Sequence, residues 1–166
     1  MAPADRWWRQ GVVVGLIAYA SVAVFYSAFD FLAARGTLFT VDLLGKAVFR
    51  GLRDPSVLQS PIQPDLLAVF WYNGLHLILS LAIGLIVIRL IAQAERHPTQ
   101  ASLVLFTIVA GFVVTVVGVG WLTSAMRPVL PWWSIVVANG LATLVAGAYL
   151  LRTRPGLWGR LIPFPH

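Results

Sequence analysis

Leu66–Ile91 (LLAVFWYNGLHLILSLAIGLIVIRLI) is the stretch that decides the fold. As a helix it would be about 39 Å long, which exceeds the roughly 30 Å thickness of a bilayer's hydrocarbon core. His76 is the one ionisable side chain deep inside it, and Asn73, Ser80 and Gly84 share its helical face at steps of three and four residues. We predict that this membrane-spanning helix organises the fold around that face.

The composition of the whole chain agrees with a membrane protein. Of the 166 residues, 59% are hydrophobic and 11% are charged, and the mean hydropathy is +0.84. Soluble domains are about 25% charged. The absence of cysteine excludes disulfides, thiolate metal sites and iron–sulfur clusters. The net charge of +6 comes from arginines at the ends of apolar segments, so we expect the lipid bilayer as a partner and no nucleic acid.

Three more segments are apolar for long enough to cross a bilayer, at residues 11–32, 101–122 and 132–151. Short polar turns at 92–100 and 124–131 separate the last three spans. We therefore predict an all-α membrane protein, in which residues 1–166 form a single integral membrane domain. Its architecture is a four-transmembrane-helix bundle with spans at about 11–32, 66–91, 101–122 and 132–151.

The first loop contains a shorter amphipathic segment at residues 40–53, TVDLLGKAVFRGLR. Apolar residues recur there at steps of three and four, and charged residues line the opposite side. We predict a helix with Thr40 as its N-cap and Asp54–Pro55 as its end. Two interpretations stay open for this helix. It either lies in the headgroup plane or over the mouth of the bundle, or it packs within an ordinary loop.

Tryptophan and arginine flank the first and last spans, in a pattern typical of anchors at the membrane interface. The predicted anchors are Arg6, Trp7, Trp8, Arg9, Trp132, Trp133, Arg152 and Arg154. Four spans place both termini on one side, and that side carries seven of the 12 lysines and arginines. We expect a bacterial inner-membrane protein with both termini cytoplasmic. A basic helix at 40–53 argues against this orientation, because it suits the anionic cytoplasmic leaflet better.

The sequence contains no pattern typical of a metal or cofactor site. Bis-histidine haem needs two imidazoles at similar depth, and only His76 lies deep within a span, since His97 and His166 lie at or beyond the surface. Carboxylates and histidines form no cluster with the spacing of a metal site. We therefore expect no metal and no cofactor. Haem would require a second subunit or a homodimer.

Hydrolytic catalysis is also not expected. Ser80 lies one turn from His76, but a catalytic triad requires an orienting carboxylate, and none lies at that depth. Asp30 and Asp65 lie near the outer rim, where Asp30 is predicted to pair with Arg35. We expect no catalytic residue and no enzyme activity.

Polar residues inside the spans form the remaining candidate site. They fall on stripes of three helices, which we predict to meet in one polar seam. The seam consists of Asn73, His76, Ser80, Thr107, Thr115, Asn139 and Thr143. An intramembrane ionisable residue indicates function by default, and histidine titrates near neutral pH. The alternative, which we favour, is that these residues bind neighbouring helices.

The leading hypothesis from the sequence is a non-catalytic polytopic membrane protein that serves as a subunit or accessory partner of a larger membrane assembly. Its expected partners are other membrane subunits or further copies of the same chain. The first alternative is a small oligomeric transporter or channel with a polar seam around His76. The second is a haem- or quinone-associated membrane anchor.

Overall fold

The computed structural model describes residues 3–52, 63–154 and 156, with side chains from residue 7 onward. Five α-helices follow one another in this part of the chain, and four of them are long and apolar enough to span a membrane. They are α1 (Pro3–Leu32), α2 (Phe39–Phe49), α3 (Leu66–Arg96), α4 (Ala101–Leu122) and α5 (Trp132–Thr153). Short 3₁₀ turns at Pro98–Gln100 and Ser124–Met126 lie before and after α4. The predicted all-α four-helix membrane architecture is confirmed.

The antiparallel pair α1 and α3 forms the centre of the bundle. Both helices extend beyond the predicted spans, so that α1 begins at Pro3 and α3 ends at Arg96. At Gly84, a Cβ atom would collide with backbone atoms of Gly11 and Gly15, and at Gly15 it would collide with the backbone of Leu81. The two backbones therefore touch, which only glycine permits at such positions.

Helix α5 also packs against α1. The apolar contact between these helices involves one residue of α1, two of α3 and two of α5: Val14, Ile88, Ile91, Ala146 and Leu150. Helix α4 joins the bundle through its beginning, where Ala101 and Val104 pack against Ala94. No described residue of α4 after Val104 is buried. Three helices thus form a packed unit, and the fourth lies largely outside it.

Helix α2 differs from the prediction for residues 40–53. It begins at Phe39 and ends at Phe49, because Gly51 has a φ of +69° and the Leu52 amide donates a hydrogen bond back to the Lys46 carbonyl. The predicted stop at Asp54–Pro55 falls outside the described residues. Thr40 as N-cap is wrong, since Leu38 occupies that position and no side chain of its own caps the helix.

Instead of lying apart from the spans, α2 packs closely on the bundle. At Gly45, a Cβ atom would collide with the carbonyl group of Ala68 in the first turn of α3. The apolar side of α2 packs against the segment that leads from α4 to α5. This contact consists of Phe39, Leu43, Leu44, Ala47, Met126 and Leu130. Of the two interpretations of this helix, the structure therefore favours an element that covers one end of the bundle.

Candidate functional site

The polar face of α3 lies against α1. Gly84 and Ser80 lie near Gly15, and Asn73 and His76 meet Tyr19 one further turn along α1. Contacts therefore recur at steps of four residues on α1 and of three and four residues on α3, as expected for one helix face packed against another. Ser80 is buried, whereas Asn73 and His76 are half-buried.

Tyr19 and Asn73 form a hydrogen bond that crosses the bundle. The tyrosine hydroxyl donates to Asn73 Oδ1 at 3.0 Å, and Asn73 Nδ2 donates to the Val69 carbonyl at 2.9 Å. The His76 ring lies 5.2 Å from the Tyr19 ring and 6.3 Å from the Tyr72 ring, measured between centroids. Among the described residues, His76 has no hydrogen-bond partner, and its imidazole packs against these two aromatic rings.

The seam residues on α4 and α5 bond within their own helices. Asn139 donates to the carbonyl of Ile135, and each of the three threonines donates to the carbonyl four residues earlier at 2.8 Å. These threonines are Thr107, Thr115 and Thr143. In the part of the chain that the structure describes, no hydrogen bond joins them to Asn73 or His76. The structure brings together the α3 stripe and α1 and leaves the other two stripes separate.

A buried polar cluster closes the end of the bundle that carries α2. Asp30, near the end of α1, is 1% exposed and accepts hydrogen bonds from the Thr40 amide at 2.6 Å and the Thr40 hydroxyl at 2.7 Å. The predicted ion pair with Arg35 is present at 3.1 Å. Arg35 also donates to the Val129 carbonyl at 2.7 Å. Asp30 therefore takes the place of the missing N-cap of α2, where a carboxylate satisfies free amides and the helix dipole.

A second carboxylate joins α2 to α3. Asp42 is buried, pairs with Lys46 at 2.6 Å and accepts a hydrogen bond from the Asp65 amide at 2.7 Å. Asp65 caps α3 by accepting from the Ala68 amide at 3.0 Å, and it pairs with Arg50 at 2.9 Å. The Arg50 guanidinium and then the Ala68 amide hold the pKa of Asp65 below its ordinary value.

The opposite end of the bundle, where the ends of α1, α3 and α5 meet, contains a smaller network. Arg154 pairs with Glu95 at 2.6 Å and donates to the side-chain oxygen of Gln10. The Arg89 guanidinium lies 5.1 Å from the centre of the Trp7 ring. The beginning of α1 and the end of α5 therefore lie at the same end of the bundle.

The predicted interface anchors lie in different surroundings. The side chain of Arg6 lies outside the described residues, and Trp7 is half-buried beside α3. Arg154 belongs to the ion-pair network, whereas the other anchors are exposed. The exposed anchors are Trp8, Arg9, Trp132, Trp133 and Arg152. Trp133 also packs edge-to-face on Phe29 at the end that carries α2.

Metal-binding geometry is not found within residues 3–52 and 63–154, because no three histidine or carboxylate side chains converge there. Comparisons with protein-family models, with curated proteins and with solved structures find no match. The site must therefore be interpreted from its own geometry.

Two features of the site were not predicted from the sequence. Tyr19 was not among the predicted site residues, although its spacing of four from Gly15 and eight from Gly11 could have placed it on the contacting stripe of α1. The hydrogen bonds between Asp30 and Thr40 join α1 to α2 across a turn, and helical periodicity does not predict contacts between two helices. Aspartate so near the end of an apolar span is the only hint.

Proposed function

We propose that this protein is a non-catalytic helical subunit of a larger membrane assembly. The observation that supports this proposal is the exposed state of α4. Only 6% of its most apolar part is buried within the described residues, the lowest share of the four spans, against 11% for α1, 22% for α3 and 33% for α5. A helix that contacts its own bundle so little has most of its surface available to lipid or to another protein.

The residue types on α4 favour another protein over lipid. At Gly111 and Gly118, a Cβ atom would meet no described atom within 4 Å, so these glycines make no close contact with the described residues. They lie on one stripe with Thr107 and Thr115. Glycine destabilises a helix by about 0.5–1 kcal/mol relative to alanine. Small and hydroxyl residues are enriched where transmembrane helices meet, because they let two backbones approach. We infer that this face of α4 packs against a helix of another subunit.

The same proposal includes the cellular setting. Its basis is the excess of arginine on the side of the termini, which favours an inner-membrane protein with both termini in the cytoplasm. Four arginines lie at the end of the bundle where α1 begins: Arg89, Arg96, Arg152 and Arg154. Their position supports a cytoplasmic location for this end.

Cross-linking in intact membranes followed by purification in mild detergent tests the proposal. We expect the chain to be recovered with a second membrane polypeptide, and Gly111→Leu to reduce that recovery severalfold. Val113→Leu is the matched control, because Val113 lies on the same helix, is 50% exposed and faces away from the glycine stripe. Recovery of a bare monomer without cross-links, or equal effects of the two variants, would overturn the proposal.

A transporter or channel is the second candidate, and the surroundings of His76 favour it. An imidazole without a hydrogen bond among the described residues, next to Tyr19 and Asn73, has donors and acceptors available for a proton or a polar ligand. Proteoliposomes test this function directly. We expect proton flux that changes across about pH 5–8 and is abolished by His76→Ala. Flux that the variant leaves unchanged would remove His76 from the mechanism.

The haem- or quinone-associated anchor stays a prediction of the sequence. Only a pairing of His76 with a histidine of another chain would complete a bis-histidine site. A Soret band in the purified protein would support this function, and a colourless preparation without bound quinone would refute it.

A further inference from the structure

A groove runs along the outside of the bundle between α1 and α5, toward the end where α1 begins and α5 ends. Its volume is about 380 Å³, and its lining is apolar except at one end. One residue comes from α1 and the others from α5: Ile17, Leu144, Val145, Ala148, Tyr149 and Arg152. The positions on α5 recur at steps of three and four, so they form one continuous stripe that ends in a guanidinium.

The charge at the end of this groove is not compensated by any other side chain in the described part of the protein. Among the residues that the structure describes, Arg152 has no ion pair and no hydrogen bond from its guanidinium, and it is exposed. Arg154, two residues later, pairs with Glu95 and binds Gln10. The same turn of α5 therefore carries one arginine that holds helices together and one that is available to an anion.

The dimensions of the groove match one leaflet of a bilayer. From Leu144 to Arg152 the helix rises about 12 Å, and half of the hydrocarbon core is about 15 Å. A site that is apolar along this depth and cationic at its interfacial end is complementary to an acyl chain with an anionic headgroup. The hydroxyl of Tyr149, one turn before Arg152, makes no hydrogen bond among the described residues and suits the polar headgroup boundary.

We propose that this groove binds one anionic phospholipid of the surrounding membrane. An acyl chain lies between Ile17 and Ala148, and the phosphate pairs with Arg152. The ligand is recognised by the combination of a buried chain and a single cation, so a zwitterionic lipid with the same chains binds less tightly.

Native mass spectrometry of the full-length protein, titrated with phosphatidylglycerol or with phosphatidylcholine of identical acyl chains, tests this site. We expect tighter binding of phosphatidylglycerol, and an approximately fivefold loss of that affinity in Arg152→Gln, as one basic residue at a membrane surface contributes. Ala148→Leu retains the charge but fills the groove, so we expect it to weaken binding of both lipids.

Arg96→Gln is the matched control. It removes one positive charge from the same end of the bundle, Arg96 is exposed, and it does not line the groove. We expect its phosphatidylglycerol affinity to stay within twofold of the wild type. Equal losses in Arg96→Gln and Arg152→Gln would show diffuse surface attraction and overturn the proposal. So would unchanged binding in Ala148→Leu, or cross-linking of an Ala148→Cys variant to a second polypeptide, which would place a helix in the groove.

Discussion

Replacing Gly84 with alanine tests whether the contact between α1 and α3 organises the bundle. The added methyl group would collide with the carbonyl oxygen of Gly11 and with backbone atoms of Gly15. Because these are backbone atoms rather than the ends of flexible side chains, the two helices must move apart to accommodate it. Gly74→Ala is the matched control on the same helix, since a Cβ atom there meets nothing within 4 Å.

The difference between the two variants isolates the steric cost. Alanine in place of glycine stabilises a helix interior by about 0.5–1 kcal/mol, and this gain is common to both variants. Overpacking a closely packed contact costs about 1–3 kcal/mol. We therefore expect Gly74→Ala to be neutral or more stable than the wild type, and Gly84→Ala to be less stable than Gly74→Ala by about 1–3 kcal/mol.

Reversible unfolding in mixed micelles with increasing sodium dodecyl sulfate, followed by circular dichroism, measures this difference. Both variants and the wild type are compared at the same lipid-to-detergent ratio, so that the micelle contributes equally. Equal free energies of unfolding for Gly84→Ala and Gly74→Ala would refute the reasoning. They would mean that α1 and α3 accommodate the added methyl group without loss of stability.

Two further predictions concern the polar clusters at the end that carries α2. Asp30→Asn removes the buried partner of Arg35, and we expect it to lower the free energy of unfolding by about 3–5 kcal/mol in the same assay, since breaking a buried ion pair leaves a charge uncompensated. Arg127→Gln, at the same end but exposed, should change it by less than about 0.5 kcal/mol, and a similar loss in both variants would contradict this role of Asp30. The pKa of Asp65 is lower in the folded chain, so its stabilisation is complete above the unfolded pKa and is lost as the pH falls through the folded pKa. We expect the protection factor of the Ala68 amide, which compares its exchange rate with the intrinsic rate at the same pH, to fall at low pH and to depend little on pH in Asp65→Ala. Identical pH profiles of the protection factor in the two proteins would exclude the cap as the cause.

The sequence predicted the class of fold because hydropathy and length determine it directly. Residues 101–122 were predicted as a span and form α4 with the same bounds. The face that carries Asn73, His76, Ser80 and Gly84 also followed from helical periodicity alone. These properties are local, since each depends only on the residues of one segment and on the bilayer around it.

Contacts between segments could not be predicted from the sequence. Gly74 and Gly84 are both glycines in the same apolar helix, and the sequence does not distinguish them. In the structure, Gly74 has no described neighbour within 4 Å of its Cβ position, whereas Gly84 touches the backbone of α1. The helical period says that residues share a face but not which neighbour that face meets. The packing of α1 against α3 determines which glycine is in contact, because only the tertiary structure brings Gly11 close to residues more than seventy positions later in the sequence.

The cap of α2 is a polar contact between segments that the sequence likewise did not predict. The sequence indicated an ion pair between Asp30 and Arg35, which are close along the chain, and that pair is present. It gave no reason to expect that Asp30 would also be buried and would replace Thr40 as the cap of the next helix. A carboxylate can be buried only where donors surround it, and the folded chain alone supplies those donors together.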